Sequence, residues 1–338
     1  MPSAIPARAA LLLLASAMSL SGCALFQPRP AGLVVAMDEA FAEARPALAS
    51  ALARLRVTGF ESRYLRIGLG ESPAIAIDAV QRLARDHRPA ILVASPLLAS
   101  ALFAGTEDAA AGLSSLGAIP LIALDWARPP ARNLILIETD ALSAYHAAGR
   151  ACGEYISAIK RSSGGDPACG LVFAPSGSRP SSELEAFAQA YGAASGGAPL
   201  LIRTLGSGRS PQDAQAAVQK LLASDLRVLF AAAGGSTLAA LGAAAYPDLV
   251  LGAELPASAA LPELAFRISP DDEALARAVA AAAERRLRPS GPPNSPEEAP
   301  EAPILVPARL IEGPAGGRHE AGGRSFASFM VDSRLNGF

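Results

Sequence analysis

The chain has 338 residues, 51% of them hydrophobic and 18% charged, enough for two domains of ordinary size, each with its own core. Lys and Arg number 29 against 31 Asp and Glu, a formal net charge of −2. That near balance speaks against nucleic acid or an anionic lipid surface as a partner, since either calls for a basic excess.

The N-terminus has one early basic residue, Arg8, then an apolar run from Ala9 to about Leu20, then small residues before Cys23. The run is too short to span a membrane and has the form of an export signal. Its end, LSGC at Leu20 to Cys23, resembles the bacterial lipobox, where a peptidase cuts before a cysteine that becomes lipidated. The resemblance implies a lipoprotein signal peptide over 1–22 and a lipid anchor on Cys23. It also implies a bacterial envelope location facing the periplasm or exterior. Two or three acyl chains hold a protein to a membrane stably where one does not. Residues 23–31 form a short Pro-containing tether.

From Gly32 the chain alternates aliphatic runs with longer Ala-rich amphipathic ones. Strands are expected at Gly32 to Met37, Tyr64 to Gly70, Pro89 to Ser95, Pro120 to Asp125 and Asn133 to Thr139. Helices are expected between the first four of them, at Glu39 to Leu55, Pro73 to Asp86 and Leu97 to Leu116. Near-continuous apolar strands separated by helices predict a parallel sheet covered on both faces.

A long helix, Ala141 to Lys160, leads into a second array of the same kind. Its strands are Cys169 to Ala174, Pro199 to Leu205, Arg227 to Ala233 and Leu249 to Glu254. Its helices lie near Ser182 to Ala194, Pro211 to Ala223 and Ser236 to Ala245. Ser182 with Glu185 reads as a capping box, and Ser210 before Pro211 as a cap preceding a first-turn proline. A strand at Ala265 to Ser269 and its helix follow, then a Pro-rich segment and a last strand, Ile304 to Gly313. The tail after it shows no clear periodicity. Two successive βα arrays of similar size predict two similar lobes.

Catalytic constellations are missing from the sequence. There is no HExxH, GxSxG, CxxC or Walker loop, so neither an enzyme nor a cofactor is expected. The three histidines, His87, His146 and His319, are scattered, and no metal site is expected. Cys152 and Cys169 either pair in an oxidising compartment or serve as two small buried residues. Ser176 and Arg179, just ahead of the helix that starts at Ser182, could hold an anion at its N-terminus.

The stretch IPLIALDWARPP, Ile119 to Pro130, followed by Asn133 to Lys160, resembles a segment of type I periplasmic binding proteins and of the LacI-like regulators that share their fold. There a strand ends in an acid beside the sugar, and a pattern matched here by Asp140, Ala148, Gly149 and Tyr155 comes after it. The likeness runs from about Gly32 to Gly313. It implies an α/β protein of two doubly wound, mainly parallel lobes with a ligand cleft between them. The implied lobes are 32–139 plus 265–288, and 140–262 plus 304–338, with 289–303 as a Pro-rich linker. Crossings between them would fall near Thr139 to Leu142, near Leu255 to Glu263 and in the Pro-rich segment.

The resemblance also carries over site residues. Asp125 matches the strand-end acid that accepts sugar hydroxyls. Its neighbour, Arg in many sugar binders, is Trp126, which either stacks on a sugar face or planar base or covers a strand end. Glu254 stands for the acid of the second lobe, and Ser269 for the polar residue of the return strand. Asp38 and Phe41 lie where the family places polar and aromatic cleft residues, and Ser95 ends the third strand. The family's Asn-Asp pair is replaced here by Ala233 to Gly235, which removes hydrogen-bonding capacity and favours a ligand with few hydroxyls. The implied function is an anchored solute-binding protein that closes around a sugar, nucleoside or similar molecule for an ABC-type permease or a sensor. A binding-protein fold serving only as a partner-binding envelope lipoprotein is the alternative, with an extracytoplasmic α/β enzyme behind it.

Overall fold

Strands whose side chains are apolar on both faces need cover on both faces, and each array of the chain builds its own covered sheet. The computed structural model describes residues 32–68, 73–87, 89–102, 119–126, 133–174, 182–205, 210–244, 248–255, 261–288 and 301–335. The first array contains β1 (Leu33–Asp38), α1 (Glu39–Ala44), α2 (Pro46–Ala53), β2 (Ser62–Ile67), α3 (Pro73–His87), β3 (Ile91–Ala94), α4 (Pro96–Leu102), β4 (Leu121–Leu124) and β5 (Leu134–Asp140). The second contains α5 (Leu142–Ser163), β6 (Ala168–Phe173), α6 (Ser182–Ala194), β7 (Leu200–Thr204), α7 (Pro211–Leu222), β8 (Leu226–Ala232), α8 (Thr237–Gly242), β9 (Val250–Glu254) and β10 (Leu264–Ser269). The chain then forms α9 (Asp272–Leu287), β11 (Ile304–Pro307), β12 (Arg309–Glu312), the short pair β13 (Glu320–Ala321) and β14 (Arg324–Ser325), and α10 (Phe326–Leu335).

The two six-stranded sheets have the same order, β2-β1-β3-β4-β5-β11 and β7-β6-β8-β9-β10-β12. Every pairing in them is parallel except β10 with β12. In β1 the period-two alternation divides the strand between two cores. Val34 and Ala36 pack with Leu92, Ala94 and Leu98 on one face, while Leu33, Val35 and Met37 pack with Leu48, Leu52 and Val93 on the other. The chain is thus two doubly wound α/β lobes, as the pattern of alternating elements predicts.

Local chemistry sets several boundaries. The expected helix from Glu39 to Leu55 is two helices, because Pro46 drives Arg45 out of helical conformation, at φ −130° and ψ 64°. Pro46 then opens α2 in its first turn, where a missing N–H costs nothing. Ser210 caps α7 as expected, its hydroxyl accepting from the Asp213 N–H at 3.1 Å while the Asp213 carboxylate accepts from the Ser210 N–H at 3.3 Å. α6 begins at Ser182, and the residue before it lies outside the described residues. So do residues 103–116 of the helix expected over Leu97 to Leu116. The tail without clear periodicity holds the β13–β14 pair and α10, whose Phe326, Phe329 and Met330 are buried in the second core.

The strand pairings correct the expected division of the late chain. The strand expected in the first lobe, Ala265 to Ser269, is β10, and it pairs with β9 and β12 in the second sheet. Within residues 265–288 it is α9 that returns to the first core, through Leu275, Val279 and Ala283. The single strand expected over Ile304 to Gly313 is two. Val306 is buried in the first core and Leu310 in the second, and Pro307 between them has no N–H with which to continue a ladder. The crossings therefore fall at Asp140 to Leu142, Ser269 to Asp272 and Pro307 to Arg309. Leu287 before the Pro-rich segment and Ile304 after it both pack on the first core, and residues 289–300 between them lie outside the described residues.

Candidate functional site

All three crossings leave from the carboxyl edges of the sheets. β5 and β11 run parallel and end at Asp140 and Pro307, β10 ends at Ser269, and β12 starts beside that end because it is antiparallel. The two carboxyl edges therefore flank a common hinge, where open α/β sheets hold ligands. The hinge strands are tied together. The Ala308 N–H donates to the Asp140 carbonyl at 2.6 Å, and Arg309 pairs with Asp271, whose side chain also caps α9 at the Ala274 N–H, 3.1 Å away.

In the first lobe the strand order reverses between β1 and β3, and the residues at their ends are Asp38 and Ser95. The Ser95 hydroxyl donates to the Asp38 carboxylate at 2.6 Å and accepts from the Asp38 N–H at 3.1 Å, with both residues buried. The same carboxylate accepts from the Phe41 N–H at 2.9 Å and so caps α1. Phe41, half-buried, packs on the core, and its ring centroid lies 5.8 Å from the Arg45 guanidinium.

Asp125 follows β4 in the left-handed region, at φ 43°, a conformation that a short polar side chain tolerates better than most. Its carboxylate accepts from the Thr139 N–H at 2.6 Å and is paired with Arg45. Arg45 also grips Asp272, its Nε donating to Oδ1 at 2.9 Å, and the other oxygen of Asp272 accepts from the Leu48 N–H at 3.3 Å. Asp272 thus supplies the N-terminal cap that α2 lacks locally, and Arg45 links the end of β4 to the second crossing. Trp126 is half-buried against the aliphatic cluster of Leu92, Leu98 and Leu136. Beside Asp125, burial and the Asp125 charge hold the Glu138 carboxyl above its ordinary range.

The carboxyl edge of the second lobe is poorer in side-chain polarity. Glu254 ends β9, and its carboxylate accepts from the Tyr145 hydroxyl at 2.8 Å. Ser269 is buried at the end of β10, its hydroxyl donating to the Pro270 carbonyl at 3.3 Å. After β8, where Ala233 to Gly235 replace the family's Asn-Asp pair, the Ala233 N–H donates to the buried Thr237 hydroxyl at 3.0 Å. Ser176, Arg179 and Cys23 lie outside the described residues.

Sequence reasoning missed Arg45, Asp272, Thr139, Glu138 and Tyr145. The break before Pro46 was the available signal for Arg45, and the DDE run at the start of α9 the signal for Asp272. A separate pocket of about 790 Å³ opens at the amino edge of the second sheet, beside Tyr155, Arg227, Asp248, Glu263, Arg318 and His319. None of the sequence-derived candidates lines it. Among the described residues no three or more His, Cys, Asp or Glu side chains converge as a metal site needs, and no helix is long and apolar enough to cross a membrane.

No protein-family model matches the chain, and no curated protein matches it. Solved structures do. A solute-binding protein of an ABC transporter system from Aeropyrum pernix K1 shares 12% identity at a TM-score of 0.59, over 90% of this chain and 85% of that one. A periplasmic ribose ABC transporter protein from Conexibacter woesei shares 16% at a TM-score of 0.59, over 85% and 93%. A LacI-family transcription regulation repressor from Corynebacterium glutamicum shares 12% at 0.54, over 87% and 99%. At such identities the likeness is one of fold.

Proposed function

We propose that this chain, which has the type I periplasmic binding fold, is a lipid-anchored extracytoplasmic solute-binding protein without catalytic activity. It closes its lobes around a small ligand and presents the closed form to an ABC-type permease or a sensor. The observation that carries this reading is the hinge. Two lobes of one strand order meet at three short crossings, and rotation there opens and closes the space between carboxyl edges without disturbing either core. The fold neighbours named for ribose and solute transport point to a sugar or similar solute. The apolar turn at Ala233 to Gly235 points within that class to a ligand with few hydroxyls, such as a nucleoside.

One observation favours a second reading, an envelope lipoprotein that retains the fold and binds a partner protein. Asp125 is satisfied by Arg45 and Thr139, Asp38 by Ser95 and Phe41, and Glu254 accepts from Tyr145. A thermal-shift screen of sugars, nucleosides and amino acids on the detergent-solubilised full chain separates the two. A saturable rise in melting temperature with one class supports ligand binding; no response across all three classes moves the assignment to the partner-binding reading. For the anchor, Cys23→Ala should leave an unprocessed precursor that incorporates no labelled fatty acid, and normal labelling would remove the anchor from the proposal.

A further inference from the structure

Cys152 and Cys169 are fully buried in the second lobe and belong to one hydrophobic cluster. Three contacts set their two segments around Tyr191. Gly153, next to Cys152 on α5, has so little room that an added Cβ would lie 2.8 Å from the Tyr191 carbonyl oxygen, so α5 lies hard against α6 at this level. The Tyr191 hydroxyl in turn donates to the Pro199 carbonyl at 3.1 Å, and the same carbonyl accepts from the Cys169 N–H at 3.1 Å. Tyr191 therefore brackets both cysteines, which are free thiols in this structure and lie fully buried in one cluster where α5 packs over the second sheet.

We propose that Cys152 and Cys169 form a disulfide that staples α5 to β6 in the core of the second lobe. The oxidant is a small or protein-borne disulfide. One cysteine thiolate attacks it, giving a mixed disulfide and releasing a thiolate. The second cysteine attacks the cysteine sulfur of that mixed disulfide, forming the Cys152–Cys169 bond and releasing the second thiolate, so the oxidant leaves as two thiols carrying the two protons. Burial, reinforced by the neighbouring Cys169 thiol, pushes the Cys152 thiol well above the ordinary range. The folded pair is therefore slow to react, and the bond forms while the lobe folds, before α6 closes over it. The pairing does not depend on whether the cleft binds a ligand.

The test is refolding of the full chain, carrying Cys23→Ala to remove the third cysteine, in a glutathione and glutathione-disulfide buffer. The product is denatured, alkylated and digested with trypsin. The expected result is the Ala151 to Lys160 peptide joined to the one beginning at Ser162, with neither cysteine alkylated. The oxidised protein should melt roughly 6–12 °C above its dithiothreitol-reduced form, the shift expected for a bond closing so short a loop. Cys152→Ala in the same background should show no effect of dithiothreitol. Two alkylated cysteines after refolding, or an oxidised form that melts at or below the reduced one, would overturn the proposal.

Discussion

The two lobes share one strand order and differ in what fills them. The first core is aliphatic. Leu, Val, Ile and Ala side chains of β1, β3, β4 and β5 dominate it, and its aromatic residues Phe41, Phe60, Tyr64 and Trp126 sit half-buried at its margins. The second core is built around rings. Phe230 stacks with Phe187 and Phe266 at 5.4 and 5.5 Å between centroids, Phe266 stacks with Phe326, and Tyr145 meets Phe230 edge-on at 5.5 Å. The rims invert the contrast. The first lobe carries a buried ion triad and the Asp38–Ser95 pair, where the second offers Glu254, Ser269 and Thr237. The same sheet order can thus be held by close-packed methyl groups or by stacked rings. The charged network belongs to the lobe whose edge must be tied to the returning helix α9.

Removing the central guanidinium would break the first rim most severely. Arg45→Met leaves Asp125 and Asp272 with no cation in a largely dry site, and about 3–5 kcal/mol of stability should be lost. Equilibrium denaturation checks this, and a loss below 1 kcal/mol would mean that the triad is solvated. Arg45→Lys should recover only part, because one ammonium cannot reproduce the fork that serves both carboxylates. The triad also means that Asp125→Ala changes stability as well as any ligand affinity, since it strips Arg45 of one partner and leaves the Thr139 N–H without its acceptor.

The core contrast is sharpened by a pair of substitutions. Phe230→Leu removes ring contacts worth about 0.5–1.5 kcal/mol each and should cost about 1–3 kcal/mol. Ile135→Val in the first core should cost about 0.5–1.5 kcal/mol. Thermal unfolding of both variants measures the difference; equal losses would mean that the rings act only as bulk.

The smallest expected effect is electrostatic. Glu138 has its folded-state value raised by burial and by Asp125, so the folded chain holds its proton to higher pH than the unfolded chain does. Stability should therefore fall as pH rises from the ordinary carboxylate value through the raised one. Glu138→Gln should remove that component and gain on the wild type above the window. Melting temperatures across pH 4 to 7, the span over which a raised carboxylate titrates, check the sign.

Much of this was legible because it is local. Alternating apolar runs gave the strands, Ser210 and Pro211 marked a helix start, and the order of βα units, with the Asp125 region, pointed to the fold. Strand-end residues such as Asp38, Asp125 and Glu254 were placed on the carboxyl edges by counting along the chain. Their partners were not, because Arg45 and Asp272 stand 227 positions apart and no local pattern couples them. Read as a cleft acceptor, Asp125 proves to hold an arginine of its own lobe.

What the sequence alone determined was periodicity: which segments are extended or helical, and which faces must be buried. Tertiary structure decided which sheet each late strand joins and which polar groups satisfy one another. Residues 304–312 show why. Val306 and Leu310 are equally apolar in the sequence, and nothing local says that they belong to different cores. The outcome rests on β5 and β10 each having a free edge at the hinge, with Pro307 unable to donate the hydrogen bond that would carry one ladder onward.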